Sequence, residues 1–187
     1  MINKKGAVLA TIHMGNWDLA GITLDIFGLP IFSIARQQKN QLTDAFLNKK
    51  RKSFGLDVLF NDNSSLKKII QRINSKEVFV ILPDVRNPRV AHEIPFLNGK
   101  ANIGSGAAAF AKSCNCPIIP FVVKRNGWIK HEAKLFAPIY PNESLSKSED
   151  VELMMTTLMN TFNAEIDESP EQYFWYNKRW ILDPITN

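Results

Sequence analysis

The sequence predicts an α/β fold in which a mixed, mostly parallel central sheet is flanked by helices. Short apolar runs typical of buried strands alternate along the chain with longer segments whose apolar residues recur at helical spacing. Such alternation is typical of parallel strands joined by helices. An Asn126-Gly127 turn between two strand-like segments adds an antiparallel hairpin, which makes the expected sheet mixed.

The first strand and helix form the most informative unit of the chain. A buried strand is predicted over residues 8–12, and His13 follows it directly. Gly15 allows a sharp turn, and Asn16 is a good N-cap for a helix predicted over residues 17–27. The pattern therefore predicts a strand, a tight turn and a helix with a histidine in the turn.

The later elements continue the alternation. Residues 87–103 have little periodicity and contain two prolines, so they are interpreted as a long loop. Pro170 is expected to begin a final, aromatic-rich helix, which would suit either a membrane–water boundary or the edge of the core. The remaining predicted strands are residues 31–35, 57–60, 78–82, 118–123 and 130–136, and the remaining helices are residues 41–54, 64–73, 106–111 and 151–166.

Length and composition favour one compact domain over residues 1–187. With 187 residues, of which 45% are hydrophobic, the chain can bury a sizeable core. No apolar run is long enough for a spanning helix or a secretory signal, so a soluble or peripheral chain is expected. Cys114 and Cys116 form a lone pair that supports neither a zinc site nor a disulfide framework.

The net charge of +5 implies an anionic partner, which could be a nucleic acid, a phosphorylated lipid headgroup or an acidic protein. The densest basic runs are residues 49–52 and 67–68, and on helices such runs are usually solvated faces. No recognisable nucleic-acid-binding module accompanies them. We therefore expect no nucleic-acid partner.

His13 and Asp18 are the candidate catalytic pair. A neutral imidazole polarised by a carboxylate can take a proton from a hydroxyl that attacks a carbonyl, which is the logic of acyl transfer. An unbroken helix would hold the two side chains about 140° apart, but a strand, turn and helix allow them to meet. The alternative is that Asp18 only caps a helix and His13 packs at the end of a strand.

Other polar residues follow predicted strands. Arg36 and Asp84 each come just after one, and ligands of open α/β sheets bind beyond the carboxyl ends of strands. Gly104-Ser105-Gly106 opens a helix whose N-terminus could hold an anion or a carbonyl oxygen. Close helix packing would explain these small residues equally well.

Several stretches, taken in order, carry a family resemblance. They are His13-Met14-Gly15-Asn16-Trp17-Asp18, Ile34-Ala35-Arg36 with Asn40 and Leu42, Leu82-Pro83-Asp84, Ile94-Pro95-Phe96-Leu97 with Gly99, residues 106–111, Cys116-Pro117-Ile118-Ile119-Pro120, and residues 170–175 with Arg179-Trp180. Together they resemble the bacterial lipid A biosynthesis acyltransferases, the lauroyl and myristoyl transferases of the wider glycerolipid acyltransferase superfamily. The resemblance spans nearly the entire chain.

The resemblance implies transfer of a fatty acyl group from acyl carrier protein, or from coenzyme A, to a hydroxyl of a lipid A precursor. The reaction would serve lipopolysaccharide biosynthesis at the cytoplasmic face of the bacterial inner membrane, with no metal or redox cofactor. An acidic carrier protein would be attracted by the chain's positive charge.

The resemblance also implies roles for individual residues. His13 would be the general base, Asp18 would orient it and stabilise the imidazolium, and Arg36 would bind a substrate phosphate. Asp84 would help to position this pair without contacting the substrate. Gly104, Ser105 and Gly106 would hold the thioester oxyanion.

The chain departs from the family pattern in three places. Asp18 stands where many close relatives carry Glu, and the composition of residues 86–93 is unusual. Relatives carry a longer stretch with a membrane-anchoring segment before the His block, which we expect this chain to lack. The alternatives are an acyltransferase for a lysophospholipid or another glycolipid, or a truncated, non-catalytic fragment that binds a membrane or a carrier.

Overall fold

A computed structural model describes residues 6–19, 28–35, 37–53, 55–60, 64–87 and 92–176. Eight strands and four helices lie within these ranges. The strands are β1 (Ala7–Ala10), β2 (Ile31–Ala35), β3 (Asp57–Phe60), β4 (Val78–Ile81), β5 (His92–Phe96), β6 (Gly99–Ile103), β7 (Ile118–Asn126) and β8 (Lys130–Leu135). The helices are α1 (Gln41–Ser53), α2 (Ser65–Asn74), α3 (Gly106–Cys114) and α4 (Lys147–Glu168).

Six strands form the central sheet in the order β3-β2-β4-β1-β7-β8. Neighbouring strands are parallel except for β8, which returns antiparallel to β7 after the Asn-Gly turn. This arrangement confirms the predicted mixed, mostly parallel α/β fold. Because β1 lies between β4 and β7, the residues that follow it emerge at the middle of the carboxyl edge of the sheet.

The two faces of the sheet carry separate apolar clusters. The larger cluster joins alternate residues of β1, such as Val8 and Ala10, to the buried sides of α2, α3 and α4. It also contains Met154, Met155 and Met159, whose flexible side chains fill the core. The smaller cluster, on the other face, is Leu9, Ile31, Val78, Val80, Phe121 and Val123.

The prediction of a long loop over residues 87–103 is wrong, because most of this segment is the hairpin β5–β6. Ile94 and Phe96 are buried while Glu93 and Pro95 are exposed, which is the period-two pattern of a half-buried strand. Pro95 obscured that pattern, although a two-stranded sheet tolerates proline at its edge. Leu97 makes the turn with a φ of +50°.

The helix predicted from Pro170 is also wrong within the described residues. Pro170–Gln172 form one 3-10 turn, after which Tyr173 is extended and pairs antiparallel with Met14. Burial of Tyr173 outweighs the local helical pattern, because the extended backbone lets Tyr173 bridge to Met14 and lets the Phe174 amide donate to the His13 carbonyl.

Two further predictions fall partly outside the described residues. The helix predicted over residues 17–27 is helical at Trp17–Leu19, and Asn16 caps it by accepting a hydrogen bond from the Leu19 amide at 3.2 Å. Residues 20–27 lie outside the described residues, and so does Arg36.

Candidate active site

The turn that carries His13 is held on three sides by backbone hydrogen bonds. On one side the Thr11 amide donates to the Ile81 carbonyl of β4, and on the other the Asn16 amide donates to the Val123 carbonyl of β7, both at 3.0 Å. From the C-terminal segment, the Gln172 carbonyl accepts from Gly15 at 2.8 Å. The turn is therefore fixed to two strands and to residues far away in the sequence.

Gly15 is required at this turn for two independent reasons. Its φ of +58° favours glycine, and a Cβ built on it would lie 2.1 Å from the Val123 carbonyl oxygen. Gly28 offers a matched control, since its φ is +67° but no described atom lies within 4 Å of an added Cβ.

We expect Gly15→Ala to lose most of the activity and more stability than Gly28→Ala. A positive φ costs each alanine about 1–3 kcal/mol, and only Gly15→Ala must also displace β7. Thermal melts and turnover assays of both variants check this. Equal losses of stability in the two variants would contradict the close approach to Val123.

Asp84 holds the His13 ring. His13 Nδ1 and Asp84 Oδ1 are 2.8 Å apart, and the His13 backbone amide donates to Asp84 Oδ2 at 2.8 Å. The Asp84 side chain is fully buried, whereas the His13 side chain is 22% exposed. An ionised carboxylate can only accept, so this bond places the proton on Nδ1 and leaves Nε2 as a hydrogen-bond acceptor.

The environment raises the pKa of His13 above 6.5. Burial of the ring acts to lower its pKa, but the hydrogen bond to Asp84, the charge of Asp84 and the charge of Asp18 together outweigh burial. Burial and the charge of Asp84 also raise the pKa of Tyr173 far above its usual range, so this phenol stays protonated. The imidazole is thus made more basic by its two carboxylate neighbours.

Asp18 lies in the same site but in a different relation to His13 from the one expected. It is exposed in the first helical turn, and its charge acts on His13, but the carboxylate that accepts the described hydrogen bond from Nδ1 is that of Asp84. The reason is topological, since β4 is the immediate neighbour of β1 and places the residue after Leu82-Pro83 directly beside His13. A catalytic role for Asp18 stays a prediction.

A cleft of about 420 Å³ opens beside His13 on the face of the sheet that carries the smaller cluster. Most of its lining is apolar. It is lined by Thr11, His13, Trp17, Asp18, Ser33, Ile34, Ala35, Arg51, Leu56, Val58, Val80, Ile81, Leu82 and Val85. His13 and Asp18 therefore share a pocket of ordinary ligand size with an aliphatic floor. Arg51 was not predicted as a site residue, because it lies within a basic run that also fits a solvated helix face.

An aromatic segment covers the His13 turn. The Phe174 amide donates to the His13 carbonyl at 2.7 Å, and the Phe174 ring lies 5.9 Å from that of Trp17 and 6.4 Å from that of His13. Gln172 ties this segment to β7, since its side chain accepts from the Arg125 amide and donates to the Arg125 carbonyl. In the sequence this segment was indicated by the aromatic run after Pro170, which was interpreted as a helix, and by the family resemblance of residues 170–175.

The three small residues predicted to hold an oxyanion are not among those that line the cleft beside His13. Gly104, Ser105 and Gly106 form the junction between β6 and α3, and none of them lines the cleft. A Cβ on Gly106 would come 3.3 Å from Ile81 Cδ1, which favours the packing explanation for that glycine. An oxyanion role for these residues stays a prediction.

The described residues contain neither a candidate membrane-spanning helix nor a candidate group of metal ligands. None of the described helices combines the length and the apolar character that crossing a membrane requires. Nor do three or more His, Cys, Asp or Glu side chains come together there as a set of metal ligands.

Comparison with known proteins gives a consistent result. The phosphatidylinositol mannoside acyltransferase of Mycolicibacterium smegmatis (strain ATCC 700084 / mc(2)155) is 24% identical over 184 residues, which are 96% of this chain and 58% of that protein. The protein of the same name from Mycobacterium tuberculosis (strain CDC 1551 / Oshkosh) is 24% identical over 182 residues, or 95% of this chain and 55% of that protein. The chain thus spans a little more than half the length of the curated relatives it matches.

The sequence model of one family, described as bacterial lipid A biosynthesis acyltransferase, matches residues 2–181. This match includes the His13 turn, Asp84 and the segment that covers the turn. The chain therefore belongs to the bacterial lipid A biosynthesis acyltransferase family.

Proposed function

We propose that the chain is the core of an O-acyltransferase that moves a fatty acyl group from a thioester donor to a hydroxyl of a phosphorylated glycolipid. The observation that carries this proposal is the Nδ1 bond between His13 and Asp84 at the end of an apolar cleft. An oriented base beside an aliphatic pocket fits a reaction that joins an acyl chain to an alcohol.

In this mechanism the Nε2 atom of His13 accepts the proton of the acceptor hydroxyl as the oxygen attacks the thioester carbonyl carbon. Asp84, already bonded to Nδ1–H, stabilises the imidazolium that forms. The tetrahedral intermediate then expels the thiolate, the carbon–sulfur bond breaks, and the imidazolium returns its proton to the sulfur. The products are the ester and the free thiol of the donor.

The cleft supplies the binding site for the acyl chain. Its floor is aliphatic, with Val58, Val80 and Ile81 among the lining residues. The fatty acyl chain leaves water when it binds to this aliphatic floor, and its binding there holds its carbonyl end beside His13. Asp18, at the same end of the cleft, adds negative charge that stabilises the imidazolium.

We propose acyl carrier protein as the donor and a lipid A precursor as the acceptor, within lipopolysaccharide biosynthesis at the cytoplasmic face of the bacterial inner membrane. The family supports the acceptor class, and the net charge of +5 suits both an acidic carrier and a phosphorylated lipid. Coenzyme A is the alternative donor. A phosphatidylinositol mannoside is the second candidate acceptor, because the matching relatives are phosphatidylinositol mannoside acyltransferases by name.

The reaction should show a distinctive dependence on pH. Only neutral His13 can act as a base, and its pKa is raised above 6.5, so kcat/KM should increase with pH through an apparent pKa above 6.5. Asp18→Asn removes one of the charges that raise the pKa, so its acid limb should move to lower pH. Profiles of kcat/KM between about pH 5 and pH 9 check both statements. An acid limb that moves to higher pH in Asp18→Asn would contradict them.

The proposal is tested by incubating the chain with acyl carrier protein or coenzyme A loaded with a fatty acid, and with each of the two acceptors. Product is identified by mass as the acceptor plus one acyl group. We expect an acylated glycolipid that does not form without the chain. Tight binding of donor or acceptor without any product would instead favour the non-catalytic fragment.

A further inference from the structure

We propose that the carboxyl edge of the sheet is a surface that docks onto an anionic lipid bilayer, with the turn between β7 and β8 inserted into it. This deepens the proposed function, on which it rests for the lipid substrates, by naming the surface through which the cleft meets them.

Trp128 and Ile129 form the tip of the β7–β8 hairpin and are 93% and 86% exposed. Exposing two adjacent large apolar side chains to water is unfavourable in free energy. Single exposed apolar residues scattered over a surface are, by contrast, normal in soluble proteins. A tight turn can carry such a pair into the headgroup region without rearranging the fold, because the flanking strands remain paired up to Asn126 and Lys130.

This tip lies at the same edge of the sheet as His13. Strands β1 and β7 are parallel with Ala10 opposite Pro120, and β7 then continues six residues further, to Asn126. The Asn16 amide bonds the Val123 carbonyl, so Val123 is level with the His13 turn. The hairpin therefore projects beyond the carboxyl edge, past the level of His13.

Other exposed apolar residues lie at that edge. Phe60 ends β3 and Val85 follows β4, and both strands run parallel to β1 within the sheet. Tyr176, which is 87% exposed, follows the segment that pairs with Met14. Aromatic residues with a polar tip are favoured at a membrane–water boundary. Several elements thus present apolar groups in one direction.

The charges beside these groups favour anionic lipid as the occupant. Arg125 and Lys130 are exposed on the two sides of the hairpin tip, and Lys67 and Lys68 are exposed in the first turn of α2, just after β3. Glu132 and Asp18 are the exposed acids closest in sequence to the tip and to His13. Basic residues within a Debye length of an anionic surface are each attracted to it. Apolar insertion with flanking cations is the combination that holds peripheral proteins on such bilayers.

The orientation that follows is useful to the proposed reaction. With the carboxyl edge against the bilayer, the end of the cleft that His13 and Asp18 line faces the layer in which lipid headgroups and acyl chains are found. An acceptor then need not leave the membrane completely for its hydroxyl to reach Nε2. The basic residues at the edge would remain among the phosphates.

The test measures binding of the full chain to sedimented vesicles of phosphatidylglycerol and phosphatidylcholine, and to vesicles of phosphatidylcholine alone. We expect binding to the anionic vesicles and weaker binding, by about tenfold or more, to the neutral ones. The double variant Trp128→Ser/Ile129→Ser should lose about tenfold or more of its affinity for anionic vesicles.

The matched control is Leu135→Ser/Leu153→Ser. These leucines are 61% and 52% exposed, on the far end of β8 and on α4, so the control removes exposed apolar surface away from the edge. It should bind vesicles like the unaltered chain. Circular dichroism and melting temperature confirm that both double variants are folded before binding is compared.

Equal vesicle affinity of the hairpin variant and the unaltered chain would overturn the proposal, as would an equal loss in the control. Failure of the unaltered chain to bind anionic vesicles would overturn it too. That outcome includes a hairpin that pairs two copies of the chain instead, which would be observed as a dimer whose amount depends on concentration. Turnover of detergent-dispersed acceptor is measured in parallel. Vesicle binding without turnover would count against the proposed function alone, and turnover without vesicle binding against this proposal alone.

Discussion

Asp84→Asn should lower kcat by about a thousandfold or more, while Asp18→Asn should lower it by about tenfold or less. Asp84 accepts two hydrogen bonds, one from the His13 amide and one from Nδ1, and an asparagine amide has a single acceptor atom. With the amide NH2 facing the ring, Nδ1 must accept, and the proton moves to Nε2, where it blocks the base. A wrong tautomer of this kind costs about 10⁴ in the serine protease triad.

Asp18→Asn is the matched control because it removes a carboxylate from the same cleft. Its exposed side chain acts on His13 through charge alone among the described contacts, and solvent screens that charge. The comparison is a ratio of kcat values at a pH above the pKa of His13, so a shift in that pKa does not contribute. A larger loss in Asp18→Asn than in Asp84→Asn would return the orienting role to Asp18, as the sequence analysis expected.

His13→Ala should reduce acyl transfer by about a thousandfold or more, because a positioned general base contributes about 10²–10⁴ and no other described base bonds to Asp84. His13→Gln keeps a polar side chain of similar reach and should be equally inactive. Donor binding should change little in either variant, since the aliphatic floor of the cleft is untouched.

His131→Ala is the control for the loss of a histidine near the turn. Its Nε2 lies 3.3 Å from Asn16 Nδ2, so it touches the turn without reaching Asp84. It should keep turnover within about threefold of the unaltered chain, as expected for a weak polar contact. Acyl transfer that persists in His13→Ala at the level of His131→Ala would remove His13 from the mechanism.

Much of the fold could be predicted because local signals and tertiary structure agree. The strands β1, β4 and β7 are buried on both faces, so their sequences are continuous apolar runs in which apolar and polar residues do not alternate. Asn126-Gly127 is a strong hairpin signal, and the turn forms there with a φ of +73° at Gly127. The segment β5–β6 was missed because Pro95 is unusual in a strand, even though the burial of Ile94 and Phe96 alternates.

The site could be predicted only in part. His13 and its turn were found from the strand end and from Gly15, and Asp84 was singled out as a strand-end residue. Which carboxylate bonds the ring depends on strand order, and β4 lies next to β1 although about seventy residues separate them in the sequence. A pattern confined to residues 13–18 carries no information on that order, so it favoured the nearer acid, Asp18.

The segment that covers His13 shows the same limit. Tyr173 lies far from Met14 in the sequence, and their pairing accompanies the burial of Tyr173 beside the His13 turn. Local propensity at Pro170-Glu171-Gln172 supports only one helical turn. The conformation after Gln172 is decided by long-range pairing with the His13 turn. The need for glycine at position 15 likewise follows from a long-range contact, the close approach of Val123.

The claim that His13 is a base held by Asp84 is tested most directly by nuclear magnetic resonance of the chain labelled with ¹⁵N in histidine, with His13→Gln used to assign the His13 signals. Above the pKa of the ring we expect a protonated Nδ1 and an unprotonated Nε2, and the titration midpoint should lie above 6.5. A neutral ring with its proton on Nε2, or a midpoint below 6.5, would contradict the account.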